Sequence, residues 1–152
     1  MTSSTASLAI RPIQPTDFEA WLPLWLAYQD FYQVDLGEAV NATTFKRFLD
    51  PDEPVFAAVA EYDGELVGMV TWVIHRSTWS TTHYCYLEDL YVAPQMRGQG
   101  TGEHLIAWVK AAADQQQCTR LYWHTHQTNH RAQQLYNRVA VNPGTILYQI
   151  AL

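Results

Sequence analysis

Apolar positions along the 152 residues recur at two spacings, one near two and one near three and a half. Leu8-Ala-Ile-Arg11 alternates and predicts a first strand. Thr16-Asp-Phe-Glu19 has the form of a capping box. The helix it is expected to open carries Phe18, Trp21, Leu22, Trp25, Leu26, Tyr28 and Phe31, with Pro23 as a kink or as the real start. Asn41-Ala-Thr-Thr44 is expected to start a shorter helix bearing Phe45, Phe48 and Leu49, which Pro51-Asp-Glu-Pro54 ends. Val55–Tyr62 and Glu65–His75 flank Asp63-Gly64, the strongest short signal for an antiparallel hairpin. Ser77–Thr82 reads as a polar loop around Trp79. Then come a strand over Tyr84–Ala93, a helix over Gly100–Asp114, a strand over Arg120–Thr125, a helix over Asn129–Val139 and a closing strand over Thr145–Ala151.

The expected order is β, α, α, β-hairpin, β, α, β, α, β. Its middle unit, from strand 84–93 through helix 100–114 to strand 120–125, is a parallel crossover. The fold class is therefore α/β, a mixed sheet with helices on both faces. The length fits a single domain over residues 8–152 behind a short disordered tail, 1–7. That tail lacks the basic and apolar regions of a signal peptide. No apolar run is long enough to span a bilayer. Cys85 and Cys118 match no metal spacing and read as free thiols in a reducing cytoplasm.

Composition narrows the function. Apolar residues make up 48% and aromatics 13%, which excludes a disordered chain. Charged residues are only 16%, against about 25% in an average protein. A surface so poor in charge, rich in Trp, suggests cover by a ligand or a second copy, and a homodimer is expected. Nine Lys+Arg against fifteen Asp+Glu leave a net charge of −6. That is too little base for a nucleic-acid face, and it favours cationic partners.

The chemistry concentrates in Gln95-Met-Arg-Gly-Gln-Gly-Thr-Gly-Glu103, where a strand turns into a helix. Helix N-termini present unpaired N–H groups and a positive dipole end to an anion. Glycine lets that backbone approach a phosphate closely, and Arg97 can add a charge-assisted bond. A Walker loop is excluded because Glu103 and His104 follow Gly102. A dinucleotide loop is excluded because position 103 is Glu and no acid occurs from Gln115 to Leu152. A second signal is Asn129-x-x-Ala132-x-x-x-Tyr136, whose spacing puts all three on one helix face.

Gln95-x-x-Gly98-x-Gly100-x-Gly102 directly after Leu87-Glu-Asp-Leu-Tyr-Val92 resembles motif A of the GNAT superfamily of acetyl-CoA-dependent N-acetyltransferases. The Asn129–Tyr136 pattern resembles its next motif, and the element order matches nearly end to end. The wording is closest to the small polyamine and histone acetyltransferase branch. The resemblance implies that the loop backbone of Arg97, Gly98, Gln99, Gly100, Thr101, Gly102 and Glu103 holds the pyrophosphate of acetyl-CoA. It implies that Leu90, Tyr91 and Val92 pair with the pantetheine arm, one N–H polarising the thioester carbonyl. Asn129 and Ala132 would border that arm. Tyr136 would return a proton to the leaving thiolate, and Glu88 would draw one from the amine. The family usually has a Gly-aromatic pair where this chain has Val139-Ala-Val141.

The chemistry of the residues agrees. An alkylamine with a pKa near 10.4 must lose a proton before it attacks, and a carboxylate can assist. Taken alone, a Tyr such as Tyr136 on an apolar helix face is more often core than acid, and Glu88 could be a strand carboxylate or an amine anchor. Strand alternation puts Asp89 on the sheet face opposite Glu88. His124, His126 and His130 could hold zinc, but polar strand-end histidines are the better reading, and no metal is expected. In the family the first helices wall the substrate, which points here to Tyr28, Asp30 and Phe31, with His83 and Tyr84 opening the strand toward the cleft. Aromatics with acids can hold a cation. The expected reaction is direct acetyl transfer to a primary amine, a polyamine or amino acid. The alternatives are a protein Lys or N-terminal acetyltransferase and a non-catalytic acyl-CoA-binding regulatory module.

Overall fold

A computed structural model describes residues 7–152. All of the expected tail but Ser7 lies outside the described residues. Five strands form one sheet in the order β1 (Leu8–Pro12), β2 (Val55–Tyr62), β3 (Glu65–His75), β4 (His83–Val92), β5 (Cys118–Tyr122). The first three pairings are antiparallel and the last is parallel. The helices are α1 (Phe18–Phe31), α2 (Gly37–Leu49), α3 (Thr101–Gln115) and α4 (His130–Val139). The mixed α/β fold expected from the pattern is the one found. The hairpin turns at Asp63 and Gly64, both with positive φ, as a type I′ turn requires.

Helices cover both faces of the sheet. A Cβ placed on Gly68 would meet Leu105 of α3 at 3.3 Å. Thr71 and Val73 point the other way by alternation and share a cavity with α1 and α2. The aromatic positions of α1 form its packing stripe. Trp21 stacks on Trp25 at 5.4 Å, and Trp25 on Tyr28 at 5.7 Å. Leu26 and Phe31, which the helical spacing also assigned to that stripe, are exposed. No helix among the described residues is long and apolar enough to cross a membrane. Cys85 is buried, Cys118 is half-buried, and both are free.

Helix starts depart from expectation, each for a local reason. The capping box at Thr16 does not form. Asp17 takes the work instead, accepting from the Gln14 N–H at 2.7 Å and from Arg11 at 2.7 and 2.9 Å. The Arg11 guanidinium holds the Asp17 carboxyl below its ordinary range. A short 3-10 turn, Pro15–Asp17, leads into α1, and Pro23 neither starts nor ends that helix. Helix α2 begins at Gly37 rather than Asn41. Asn41 is no cap because its side chain is buried in the helix pair, where its Oδ1 accepts from Trp25 Nε1 and Gln29 Nε2, each at 2.9 Å. Satisfying two buried donors outweighs the capping preference of Asn.

The closing strand expected over Thr145–Ala151 is absent. Beyond α4, residues 141–152 are exposed and carry neither helix nor strand. The turn at Asn142-Pro-Gly144, closed by the Gly144 N–H on Asn142 Oδ1, redirects the chain. Strand β5 also stops at Tyr122, three residues short of the expected end, which leaves a short edge to pair with.

Candidate active site

Strand β4 is where the site is built. Thr71 of β3 lies opposite Asp89, while the next residue, Trp72, lies opposite Leu87. Glu88 is therefore an extra residue, a β-bulge, without a partner on β3. The bulge cancels the alternation, so Glu88 and Asp89 both line one cavity of about 530 Å³ instead of facing opposite sides of the sheet. Trp25, Tyr28 and Tyr32 of the α1 region form its aromatic wall.

The two carboxyls differ in their surroundings. Asp89 accepts from the Thr71 hydroxyl at 2.6 Å, and its own N–H donates to Thr71 Oγ1 at 3.1 Å. Burial raises its carboxyl above the ordinary range, and the hydroxyls of Thr71 and Tyr28 oppose that shift. Burial also raises Glu88, and the charge of Asp89 adds to it. The Tyr28 hydroxyl, buried beside Asp89, is pushed far up and stays protonated.

The opposite edge of β4 opens into a cleft. Strand β5 pairs with β4 only from His83↔Cys118 to Tyr86↔Tyr122. Past Tyr86 the two strands part, and the β5-side backbone of Leu87–Val92 has no strand partner among the described residues. A second cavity, about 1220 Å³, lies on the β5 side and includes Trp123, Gln133 and Tyr136 in its walls. Tyr28 and Tyr32 line both cavities and so divide them. Tyr136 meets Trp123 edge-on at 5.5 Å, and burial pushes its hydroxyl up to about 12.

At the end of β4 lies the glycine loop. After the 3-10 turn Pro94–Met96, Gly98 and Gly100 take positive φ (77° and 83°), and Gly100 caps α3 in the left-handed region. The first N–H groups of α3, on Thr101, Gly102 and Glu103, have no carbonyl one turn back within the helix. A Cβ on Gly102 would come within 3.1 Å of Leu135 in α4, so glycine is what lets α3 and α4 approach. Arg97 donates from Nε to the Val92 carbonyl at 3.0 Å and lies over the Tyr91 ring. Gln99 donates to the Gln95 carbonyl, and buried Thr101 reaches the Met96 carbonyl. The Glu103 side chain faces Arg138 at 3.4 Å and ties α3 to α4.

Asn129 caps α4 through its Oδ1, which accepts the Ala132 N–H at 3.3 Å. Of the residues expected to meet the cofactor or to act in catalysis, Tyr136 lines the larger cavity, while Leu90, Tyr91, Val92, the loop 97–103, Asn129 and Ala132 line neither cavity. Glu88 lines the smaller cavity, and Tyr28 lines both. Four expected substrate residues do not reach either cavity. Asp30 and Phe31 turn outward from α1, and both are exposed. His83 and Tyr84 sit at the paired end of β4, where Tyr84 packs on Tyr122 and Arg120. Asp89 is the residue the sequence reading assigned to the wrong face. His124 lies 3.2 Å from the Tyr86 hydroxyl through Nδ1, and His126 lies against Tyr32.

A model of the Acetyltransferase (GNAT) family matches residues 18–140. The chain belongs to the GNAT acetyltransferase family. This GNAT protein is 37% identical over 145 residues to the D-amino-acid N-acetyltransferase HPA3 of Saccharomyces cerevisiae, covering 93% of this chain and 89% of that one. It is 36% identical over 92 residues to the thialysine N-epsilon-acetyltransferase of Bos taurus, which covers 60% of this chain and 54% of the relative. Among solved structures, the aminoglycoside N-acetyltransferase AAC(6')-Iy in complex with CoA superposes with a TM-score of 0.86 at 18% identity, covering 99% of each chain. The acetyltransferase is thus an enzyme of the N-acetyltransferase class, and small-amine acetyltransferases are among its relatives.

Proposed function

We propose that this enzyme moves the acetyl group of acetyl-CoA onto the primary amine of a small cationic acceptor, by direct attack within a ternary complex. The observation that carries this reading is the parting of β4 and β5 after Tyr86/Tyr122. It leaves an extended backbone edge at Leu90–Val92 that runs into the anion-suited loop, and Tyr136 lines the cavity on the β5 side.

In that arrangement the N–H groups of Gly98–Glu103 receive the pyrophosphate of acetyl-CoA, with the dipole of α3 behind them. The open edge of Leu90, Tyr91 and Val92 pairs with the amide groups of the pantetheine arm, and one N–H polarises the thioester carbonyl. Small Ala132 and the capped turn at Asn129 leave room for the arm. The amine enters from the smaller cavity, beside Tyr28. Glu88 accepts its proton, directly or through water, and nitrogen then attacks the carbonyl carbon. The C–S bond breaks as the C–N bond forms, and the Tyr136 hydroxyl returns a proton to sulfur. A hydroxyl raised to about 12 is fully protonated at neutral pH and available for that step.

A small acceptor is supported by the cavity's volume, which lies in the range of small-ligand sites, and by its two carboxyls. The relatives' names, a D-amino-acid and a thialysine acetyltransferase, support it too. The test is thiol release from acetyl-CoA with spermidine, free amino acids and a Lys peptide, beside calorimetry with CoA. Turnover on a small amine is expected, and turnover on the peptide alone would replace this acceptor by a protein.

We also infer a homodimer. Ile146, Leu147, Tyr148 and Ile150 are all more than 60% exposed, on an arm beside the open edge of β5. An apolar segment of this kind beside an unpaired strand edge is normally covered, and a second copy supplies both an arm and an edge. Equilibrium sedimentation is expected to give a dimer for the full chain and a monomer for residues 1–140. A dimer that survives the truncation would contradict the arm's part in it.

A further inference from the structure

The mouth of the smaller cavity is aliphatic. Val34, Leu36 and Val40 line it, and each is more than 40% exposed. Single apolar side chains on a surface are ordinary, but three that line one cavity mark a binding surface. The segment that carries them is fixed from beneath. The Leu36 N–H donates to Gln29 Oε1 at 2.9 Å, and the Val34 N–H donates to the Gln29 carbonyl at 3.0 Å. Gln29 Nε2 donates in turn to Asn41 Oδ1, and both of these side chains are buried. Two buried polar groups thus hold in place a segment whose aliphatic groups stay in solvent. A rim held in one conformation before the ligand arrives binds more tightly.

The cavity's charges lie away from this rim. Asp89 is bonded to Thr71, which is 3% exposed, so the carboxyl end is the deep end. Its neighbour Glu88 and the cation Arg47 are the other charged residues of the lining. Asp35 and Glu38, the acids nearest to the rim in sequence, line neither cavity, and Asp35 Oδ1 accepts the Gly37 N–H at 3.0 Å. An acceptor with one ammonium at the carboxyls has its remainder against aliphatic carbon. The second ammonium of a polyamine would meet that rim with no carboxylate in the lining to receive it, at the cost of its hydration.

We propose that Val34, Leu36 and Val40 form an apolar subsite, and that the acceptor carries a single ammonium and an apolar body that fills it. This rests on the reading of the smaller cavity as the acceptor site, and it excludes the polyamines which that reading alone admits. The three residues set specificity rather than rate, because they bind a group remote from the reacting nitrogen.

The experiment compares kcat/KM for two pairs in which a terminal methyl replaces an ammonium: n-pentylamine against 1,4-diaminobutane, and norleucine against ornithine, the amino acids in both enantiomers. The n-alkylamines from propyl to hexyl and the straight-chain amino acids from alanine to norleucine give the dependence on chain length. In at least one series kcat/KM is expected to rise about three- to fourfold for each methylene. In the matching pair the methyl member is expected to exceed the ammonium member about tenfold. Leu36→Ser with Val40→Thr is expected to flatten the series and to remove most of that preference. Helix α2 survives both changes, because Leu36 is its N-cap, where Ser is favoured, and Thr keeps the branched shape of Val. Leu36→Asp puts a carboxylate on the rim and is expected to raise kcat/KM for a diamine between 1,4-diaminobutane and 1,6-diaminohexane, a gain that lost stability cannot produce. Flat chain-length series in the unaltered enzyme would overturn the proposal. So would ammonium members that equal or exceed their methyl partners in both pairs, or a preference unchanged in Leu36→Ser/Val40→Thr. Turnover of spermidine or a Lys peptide with neither methyl member accepted would overturn it too, leaving acetyl transfer intact. No thiol release with any of these acceptors would instead defeat the acetyltransferase reading of the site, and the proposal with it.

Discussion

Tyr136→Phe is expected to lower kcat about a hundredfold while CoA binds as before. General acid catalysis contributes on the order of 10²–10⁴-fold, and a thiolate that leaves unprotonated forfeits it. The change removes one oxygen from a side chain held edge-on by Trp123, so the packing of α4 against Trp123 survives. The hydroxyl's elevation to about 12 has burial as its main cause, with Tyr32 adding to it. It therefore donates across the whole neutral range. Steady-state kinetics with calorimetry separates the outcomes. A loss confined to kcat marks an interaction made in the transition state, whereas weaker CoA binding would mark a residue of the arm's wall. An unchanged kcat would remove Tyr136 from the chemistry.

The second large effect belongs to Glu88. Its carboxyl acts as a base only when ionised, and burial with the neighbouring Asp89 charge raises its pKa. The rate should therefore rise with pH along a limb centred above the ordinary carboxylate value. Below that limb Glu88 is protonated and cannot accept the amine's proton. Glu88→Gln is expected to lower kcat/KM about a hundredfold and to erase the limb. Asp89→Asn removes a charge that raises Glu88, so the limb should move to lower pH. A pH profile of kcat/KM for the three proteins checks both signs. A limb that persists in Glu88→Gln would assign the base to another group.

Much of this was legible in the sequence because the strongest signals were local. Asp63-Gly64 marked its hairpin, and the glycines at 98, 100 and 102 marked their loop, since both depend on backbone conformations that few residues adopt. Partners distant in the chain decided the rest. Whether Asn41 caps a helix or satisfies Trp25 and Gln29 depends on residues 12 and 16 positions away. The bulge at Glu88 exists only as a register between β3 and β4, so alternation along one strand put Asp89 on the wrong face. Asp30 and Phe31 follow Tyr28 closely in sequence, yet helix rotation carries them out of the cavity. Thr145–Ala151 is apolar enough for a strand, but a strand also needs an edge, and β5 ends at Tyr122.

The most direct test of acetyl transfer in a ternary complex is a single-turnover quench with labelled acetyl-CoA, with and without an accepted amine. The expected result is one N-acetylated amine for each thiol released when the amine is present. Without it, no thiol is released and no acetyl group is found on the protein. A thiol burst in the absence of amine, with acetyl on Cys118 or any other side chain, would contradict direct attack.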